Sequence, residues 1–262
     1  MNILQEIVNS TKERIEEKKK IVPHDKIIEI AQTKCISDFP FEKALNSEGL
    51  AFICEIKKAS PSKGILSEDF PYIDIAKEYE DAGVSAISVL TEPKYFKGSD
   101  KYLSEIADTV SIPLLRKDFI VDSYMIYESK ILGASAILLI CSILDEDTLS
   151  KYIAIAHDLG ISALVETRSE VEIDMALSAG ARIIGVNNRN LDTFEVDITL
   201  SQIFRKLVPS NVLFVSESGI KSPEDVAKLR EIGANAILIG ETIMKSSNKK
   251  SEISRLRGDG LW

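Results

Sequence analysis

Residues 123–167 read SYMIYESKILGASAILLICSILDEDTLSKYIAIAHDLGISALVET, and the stretch holds one unit twice. Ser123–Leu132 and Asp147–Leu159 carry apolar residues at helical spacing, and a glycine follows each, Gly133 and Gly160. Behind each glycine stands a short apolar run, Ala136–Ile140 and Ser162–Val165. Glycine supplies the left-handed turn that ends a helix. A nearly unbroken aliphatic run suits a parallel strand buried on both faces. The stretch therefore reads helix, strand, helix, strand.

Working outward, the unit recurs along the chain. Further strand-like runs stand at Ala51–Ile56, Ser85–Leu90, Ile112–Leu115, Ile183–Val186, Val212–Val215 and Ala236–Ile239, which makes eight. Helical periodicity fills Ile73–Ala82, Leu103–Val110, Glu170–Ala179 and Pro223–Ile232, with Gly83, Gly180 and Gly233 as further terminators. Ser222-Pro223-Glu224 opens the last of these with a capping Ser and a Pro at the first helical position. Eight alternating units in this length match a (β/α)8 barrel, and right-handed crossovers let the sheet close. No GxGxxG follows the first strand, which disfavours a doubly wound dinucleotide-binding sheet. Residues 1–48 lie outside the repeat. Ile3, Leu4, Ile7, Val8 and Ile15 mark an amphipathic helix, and a shorter helical piece surrounds Lys26–Ala31. The expectation is one α/β domain over 1–262, a TIM barrel whose N-terminal helical extension, 1–48, packs over one end.

Composition narrows the function. Of 262 residues, 45% are hydrophobic and 28% charged, enough apolar material for a large core. Lys and Arg number 32 against 41 Asp and Glu, a net charge of −9, which argues against a nucleic-acid partner. The charged run Lys12–Lys20 reads as a solvated helix face, with an RNA-binding arm the poorer reading. The longest uncharged stretch, Ile131–Leu144, contains Gly133, Ser135 and Ser142 and is shorter than the ~20 residues of a membrane span. The first twenty residues lack the apolar centre of a secretory signal. Cys35, Cys54 and Cys141 are scattered without metal-site spacing, and only His24 and His157 accompany them. Reduced thiols in a cytoplasmic protein are expected, with no metal. His157 in the last turn of its helix is expected to complement the helix dipole.

In a barrel of this kind the chemistry sits at the C-terminal ends of the strands. Those ends carry Glu55 and Lys57, then Lys117, Glu166, Asn187 and Glu217. Glu55 and Lys57 share a face because strand side chains alternate, and Cys54 should face the helices. Charges at the ends of apolar strands are costly unless partnered or working. Three carboxylates and two lysines at one mouth can pair and shift each other's pKa, which makes acid and base roles available. A structural ion-pair rim is the bland alternative. Ser218-Gly219 and Gly240-Glu241 put small residues at the seventh and eighth loops, where this fold commonly holds phosphate through backbone amides. Glu241 would contribute only its N–H, with its side chain turned outward. The first loop, Lys58–Gly64, is basic and hinged by Pro61 and Gly64, as a lid over an anion would be. Phe96 and Phe119 lie beyond the second and third strands, where a flat aromatic substrate could use them.

Several segments together carry a family resemblance: Glu55-x-Lys57-Lys58-Ala59-Ser60-Pro61-Ser62, LTEPKYFKGS (90–99), LRKDFI (115–120), GVNNRNL (185–191) and SESGI (216–220). They resemble indole-3-glycerol phosphate synthase over essentially the whole chain, including the helical extension. The resemblance implies a decarboxylating lyase of tryptophan biosynthesis that acts on 1-(2-carboxyphenylamino)-1-deoxyribulose 5-phosphate without cofactor or metal. It implies Lys117 as general acid. Lys57 would hold an anionic group or assist a later proton transfer. Glu166 is first candidate for the dehydration, with Glu55 shaping its pKa. Asn187, Glu217 and Ser218 would bind ribulose hydroxyls, and Arg189 would meet the anthranilate carboxylate or brace the site. Ser60, Phe96, Phe119, Leu138 and Leu191 would contact substrate, and Gly219, Gly240 and Glu241 its phosphate. A monomer or weak homo-oligomer is expected. The rivals are another phosphate-binding barrel enzyme and a non-catalytic barrel subunit.

Overall fold

The computed structural model describes residues 3–190 and 193–258. Eight parallel strands close into a barrel: β1 (Ala51–Ile56), β2 (Ala86–Leu90), β3 (Leu114–Lys117), β4 (Ala136–Ile140), β5 (Ser162–Thr167), β6 (Ile183–Asn187), β7 (Leu213–Glu217) and β8 (Ala236–Ile239). β1 pairs with both β2 and β8, so no barrel edge stays open. Alternation sorts the side chains into two cores. Ile53, Ala86, Leu115, Leu138, Leu164, Val215 and Leu238 fill the interior. Cys54, Ile87, Leu139, Val165, Val186, Phe214 and Ile237 face the surrounding helices.

The strand boundaries matter at their C-terminal ends. β3 begins two residues later than the sequence suggests and ends on Lys117, while β5 and β7 run on to Thr167 and Glu217. The catalytic candidates Lys117, Glu166 and Glu217 therefore sit on ladder backbone, a stiffer support than loop. Helices α4 (Tyr72–Asp81), α5 (Asp100–Ala107), α6 (Ser123–Ile131), α7 (Glu146–Asp158), α8 (Glu170–Ser178), α9 (Thr199–Phe204) and α10 (Pro223–Glu231) follow the first seven strands, and α11 (Glu241–Met244) and α12 (Lys249–Arg257) close the chain. α5 starts earlier than its apolar spacing suggests because Ser99 caps it, accepting from the Lys101 amide. All five terminator glycines have positive φ.

The extension departs from expectation. It forms three helices, α1 (Ile3–Ile21), α2 (His24–Gln32) and α3 (Pro40–Leu45), and it covers both ends of the barrel. Ile3, Leu4 and Ile7 of α1 line the mouth. α2 lies along α6, where His24 Nε2 stands 3.1 Å from Ser123 Oγ. Phe41 and Leu45 of α3 are fully buried in the interior core at the opposite end, beside Arg182, whose guanidinium pairs with Glu42 at 2.8 Å. The charged run of α1 is only partly solvated. Arg14 Nη2 donates to both oxygens of buried Asp118 at 2.9 and 3.0 Å, Lys18 pairs with Asp100 and Glu128, and Lys19 with Asp122. Arg116, wholly buried beside Lys117 in sequence, joins Asp100 and Glu128 at 2.8 Å. These pairs are short because the barrel presents carboxylates where the helix presents cations. His157 does not complement the α7 dipole with a charge: burial, then Arg182, lowers its pKa to about 4, so it is neutral at pH 7.

Candidate active site

Inward-facing residues at the tops of β1, β3, β5, β6 and β7 converge on one cavity of about 350 Å³. Its floor is charged. Lys117 Nζ lies 3.3 Å from Glu166 Oε2 and 3.3 Å from Glu217 Oε2, so one ammonium bridges carboxylates from β5 and β7. Lys57 Nζ donates to Glu55 Oε1 in a second pair. Glu55, Glu166 and Glu217 are buried. Glu166 thus partners Lys117, while the contact of Glu55 is with Lys57.

Burial sets the titration of this group, modified by charge. Burial opposes the Lys117 ammonium, but Glu217, Glu166 and Glu55 outweigh it and hold its pKa above the usual lysine value. Burial pushes Glu217 up to about 7; Lys117 pulls the other way, and Glu166 and Glu55 add to the rise. Glu217 Oε1 is buried and accepts no hydrogen bond. Oε2 faces the Lys117 ammonium at 3.3 Å. The site therefore holds a firmly protonated lysine next to a carboxyl group that exchanges its proton near neutrality.

The walls are apolar. Phe96 and Phe119 stand 6.0 Å apart at a 38° tilt, and Leu90, Leu138, Ile140, Ile3, Leu4 and Ile7 complete a slot beside them. Glu92, buried behind the second loop, accepts from the amides of Lys94, Tyr95 and Phe96 at 2.7–3.0 Å and so fixes the aromatic. Asn187 faces the cavity and its Oδ1 accepts from the Arg189 amide. Asn188 points outward instead; its amide donates to Ser216 Oγ and to Ser218 O, both at 3.1 Å, bracing the seventh loop. Ser218 and Gly219 both have positive φ, which is strained for the serine and marks a shaped turn. Thr242 Oγ1 ties this loop to the eighth through Ile220 O at 2.7 Å. Neither Glu92, Asn188 nor the α1 residues were singled out by position alone. All three act from the loops or the extension, where no strand alternation reveals direction.

Glu241 corrects one expectation. Its side chain does not turn away from the site: the carboxylate meets Lys245 at 2.7 Å, Arg189 at 3.5 Å and Lys63 at 3.8 Å. Three cations from three segments draw it to the rim. Burial works against its ionisation, but Lys245, Lys63 and Arg189 hold its pKa below the usual range. In the first loop, Ala59–Ser60 pairs antiparallel with Gly64–Ile65, and the Ala59 amide donates to Phe96 O at 3.2 Å. Ser60 lines the cavity. Leu191 lies outside the described residues.

The family profile described as indole-3-glycerol phosphate synthase matches residues 4–256. The chain belongs to the indole-3-glycerol phosphate synthase family. A synthase of that name from Ruminiclostridium cellulolyticum is 57% identical over 258 residues, 98% of this chain and 99% of the relative. One from Endomicrobium trichonymphae is 51% identical over 97% of this chain and 99% of its own length. Among solved structures, 3-hexulose-6-phosphate synthase from Salmonella typhimurium superposes with a TM-score of 0.66 at 14% identity, covering 79% of this chain and 96% of that one. A tryptophan synthase α-subunit from Pyrococcus furiosus gives 0.61 at 14% identity, over 79% and 98%. At that identity the likeness speaks for the barrel alone. Among the described residues of this synthase-family chain, no helix is long and apolar enough to cross a membrane.

Proposed function

We propose that the cavity carries out the reaction for which the family is named, the conversion of 1-(2-carboxyphenylamino)-1-deoxyribulose 5-phosphate to indole-3-glycerol phosphate, carbon dioxide and water. The aromatic ring enters the slot between Phe96, Phe119 and Leu138. The phosphate lies at the rim, on the turn at Ser218-Gly219 and the amides at Gly240-Glu241, within reach of Lys57, Lys63 and Arg189. The ring carbon bearing the carboxylate attacks the ribulose carbonyl, and the carbonyl oxygen takes a proton from Lys117. The carbon–carboxylate bond then breaks; its electrons restore the aromatic ring and carbon dioxide leaves. In the last step the new hydroxyl departs as water with a proton from an acid of the site, and a carboxylate removes the neighbouring proton. Glu166 and Glu217, both on Lys117, are positioned for this exchange, and solvent restores the proton consumed overall. Asn187 and Ser218 bind the sugar hydroxyls. The unpaired thiols suit a cytoplasmic setting.

The observation that carries this reading is the Lys117 ammonium held at 3.3 Å by two buried carboxylates under an apolar, aromatic-walled slot. Such a proton donor is aimed by its partners and shielded from water. The test is the fluorescence of product formed by the purified protein. Turnover is expected in the presence of EDTA, and Lys117→Ala should lower kcat by about 10³-fold or more with an unchanged circular dichroism spectrum. Wild-type turnover in that variant would remove Lys117 from the acid role; no turnover by the wild type would remove the reading.

A further inference from the structure

Gly185 is an inward position of β6. Its neighbours Ile184 and Val186 belong to the helix-facing core, Ile183 lies below it in the interior, and Asn187 above it faces the cavity. On the next strand Glu217 is in register with Asn187, yet its carboxylate leans down past that pair to lie over Gly185. A Cβ placed on Gly185 would overlap Glu217 Oε1 and come within 3.1 Å of Leu164 Cδ1. The buried oxygen without a hydrogen bond therefore fills the room of a missing side chain. The same arrangement recurs across the barrel, where a Cβ on Gly240 would overlap Glu55 Oε1.

We propose that Gly185 is a positioning residue: by having no side chain it seats one oxygen of Glu217 against the strand and so aims the other at Lys117. The inference rests on Glu217 belonging to the reacting centre, as proposed above. Gly185 itself touches no substrate and works only through that carboxylate. The overlapping atom is the end of a flexible side chain that borders the cavity, so the added methyl must displace the carboxylate toward the mouth, by roughly 1 Å to restore ordinary van der Waals contact. A misplacement of that size costs up to about 10²-fold in rate when it moves a catalytic group. Lifting Oε1 toward water also weakens the burial that governs its titration, among facing groups Lys117, Glu166 and Glu55, with Lys57 one contact further.

The test combines a titration with a double-mutant cycle. Carbon-13 NMR of the Glu217 carboxyl, assigned by its loss in Glu217→Gln, should show a midpoint near neutrality in the wild type and one moved toward the ordinary carboxylate range in Gly185→Ala. Gly185→Ala should lower kcat tenfold or more in the wild-type background and less than twofold in a Glu217→Ala background. An equal loss in both backgrounds, an unmoved midpoint, or a moved midpoint with unchanged kcat would each overturn the proposal. If Gly185→Ala alone does not fold, the double variant should, because the carboxylate no longer contests the space; failure of both to fold overturns it. Full activity in Glu217→Ala would reject the placement of Glu217 in the reacting centre, and the NMR midpoint would then still report on the seat alone.

Discussion

Glu217 is held against its own ionisation. Its folded pKa of about 7 lies above the ordinary 4.5, so the native state binds the proton more tightly than the unfolded chain. Stability from this group is intact below pH 4.5 and declines as pH rises toward 7. Glu217→Gln should match wild type in urea denaturation at pH 4.5 and exceed it by a few kcal/mol at pH 8, while losing activity. His157 runs the other way. Its pKa, lowered from 6.5 to about 4, makes native stability fall as acid is added through that interval, because only the unfolded chain takes up the proton. His157→Gln should flatten the stability curve between pH 6.5 and 4. The gathering of Glu55, Lys57, Lys117, Glu166, Asn187 and Glu217 at one mouth was legible: it follows from alternation and fold position. What Gly185 does was not, because the lean of a neighbouring side chain is invisible to spacing. Nor was the direction of Glu241, which depends on three cations from separate segments.

α1 shows how an element can be placed correctly and still be read incompletely. Its apolar stripe gave the helix, and Ile7, Val8 and Ile15 are buried against the barrel, but part of the charged run docks as well, since Arg14 reaches Asp118 between Lys117 and Phe119. Arg14→Ala would leave Asp118, itself buried, with Arg116 at 3.6 Å as its remaining cation. A loss of about 3–5 kcal/mol is expected, as for one broken side of a buried pair. KM should rise as well, because Ile3, Leu4 and Ile7 form part of the slot. Denaturation and steady-state kinetics on the same preparation check both. α3 escaped notice because six residues, Pro40–Leu45, are too few to display a period. The ends of β5 and β7 were read short for a related reason: Glu166 and Glu217 break the apolar run while remaining in the ladder.

The whole molecule divides its labour between two ends. The mouth holds buried charge at a cost, and the opposite end is stoppered by Phe41 and Leu45. Phe41→Ala should cost about 3–5 kcal/mol in urea denaturation yet leave kcat of the folded protein within twofold, since Phe41 lies at the end of the barrel away from the cavity mouth. The closure of the barrel has a further consequence for how the chain is made. Ala51 pairs with Ala236, and Arg14 waits for a carboxylate 104 residues downstream. A nascent chain emerging from the ribosome thus carries its mouth helix without its partner until Asp118 appears, and its sheet with two raw margins until the eighth strand is released. The first strand finds its last neighbour only after residue 236 has emerged, and an interrupted product would leave those margins free to pair with another copy.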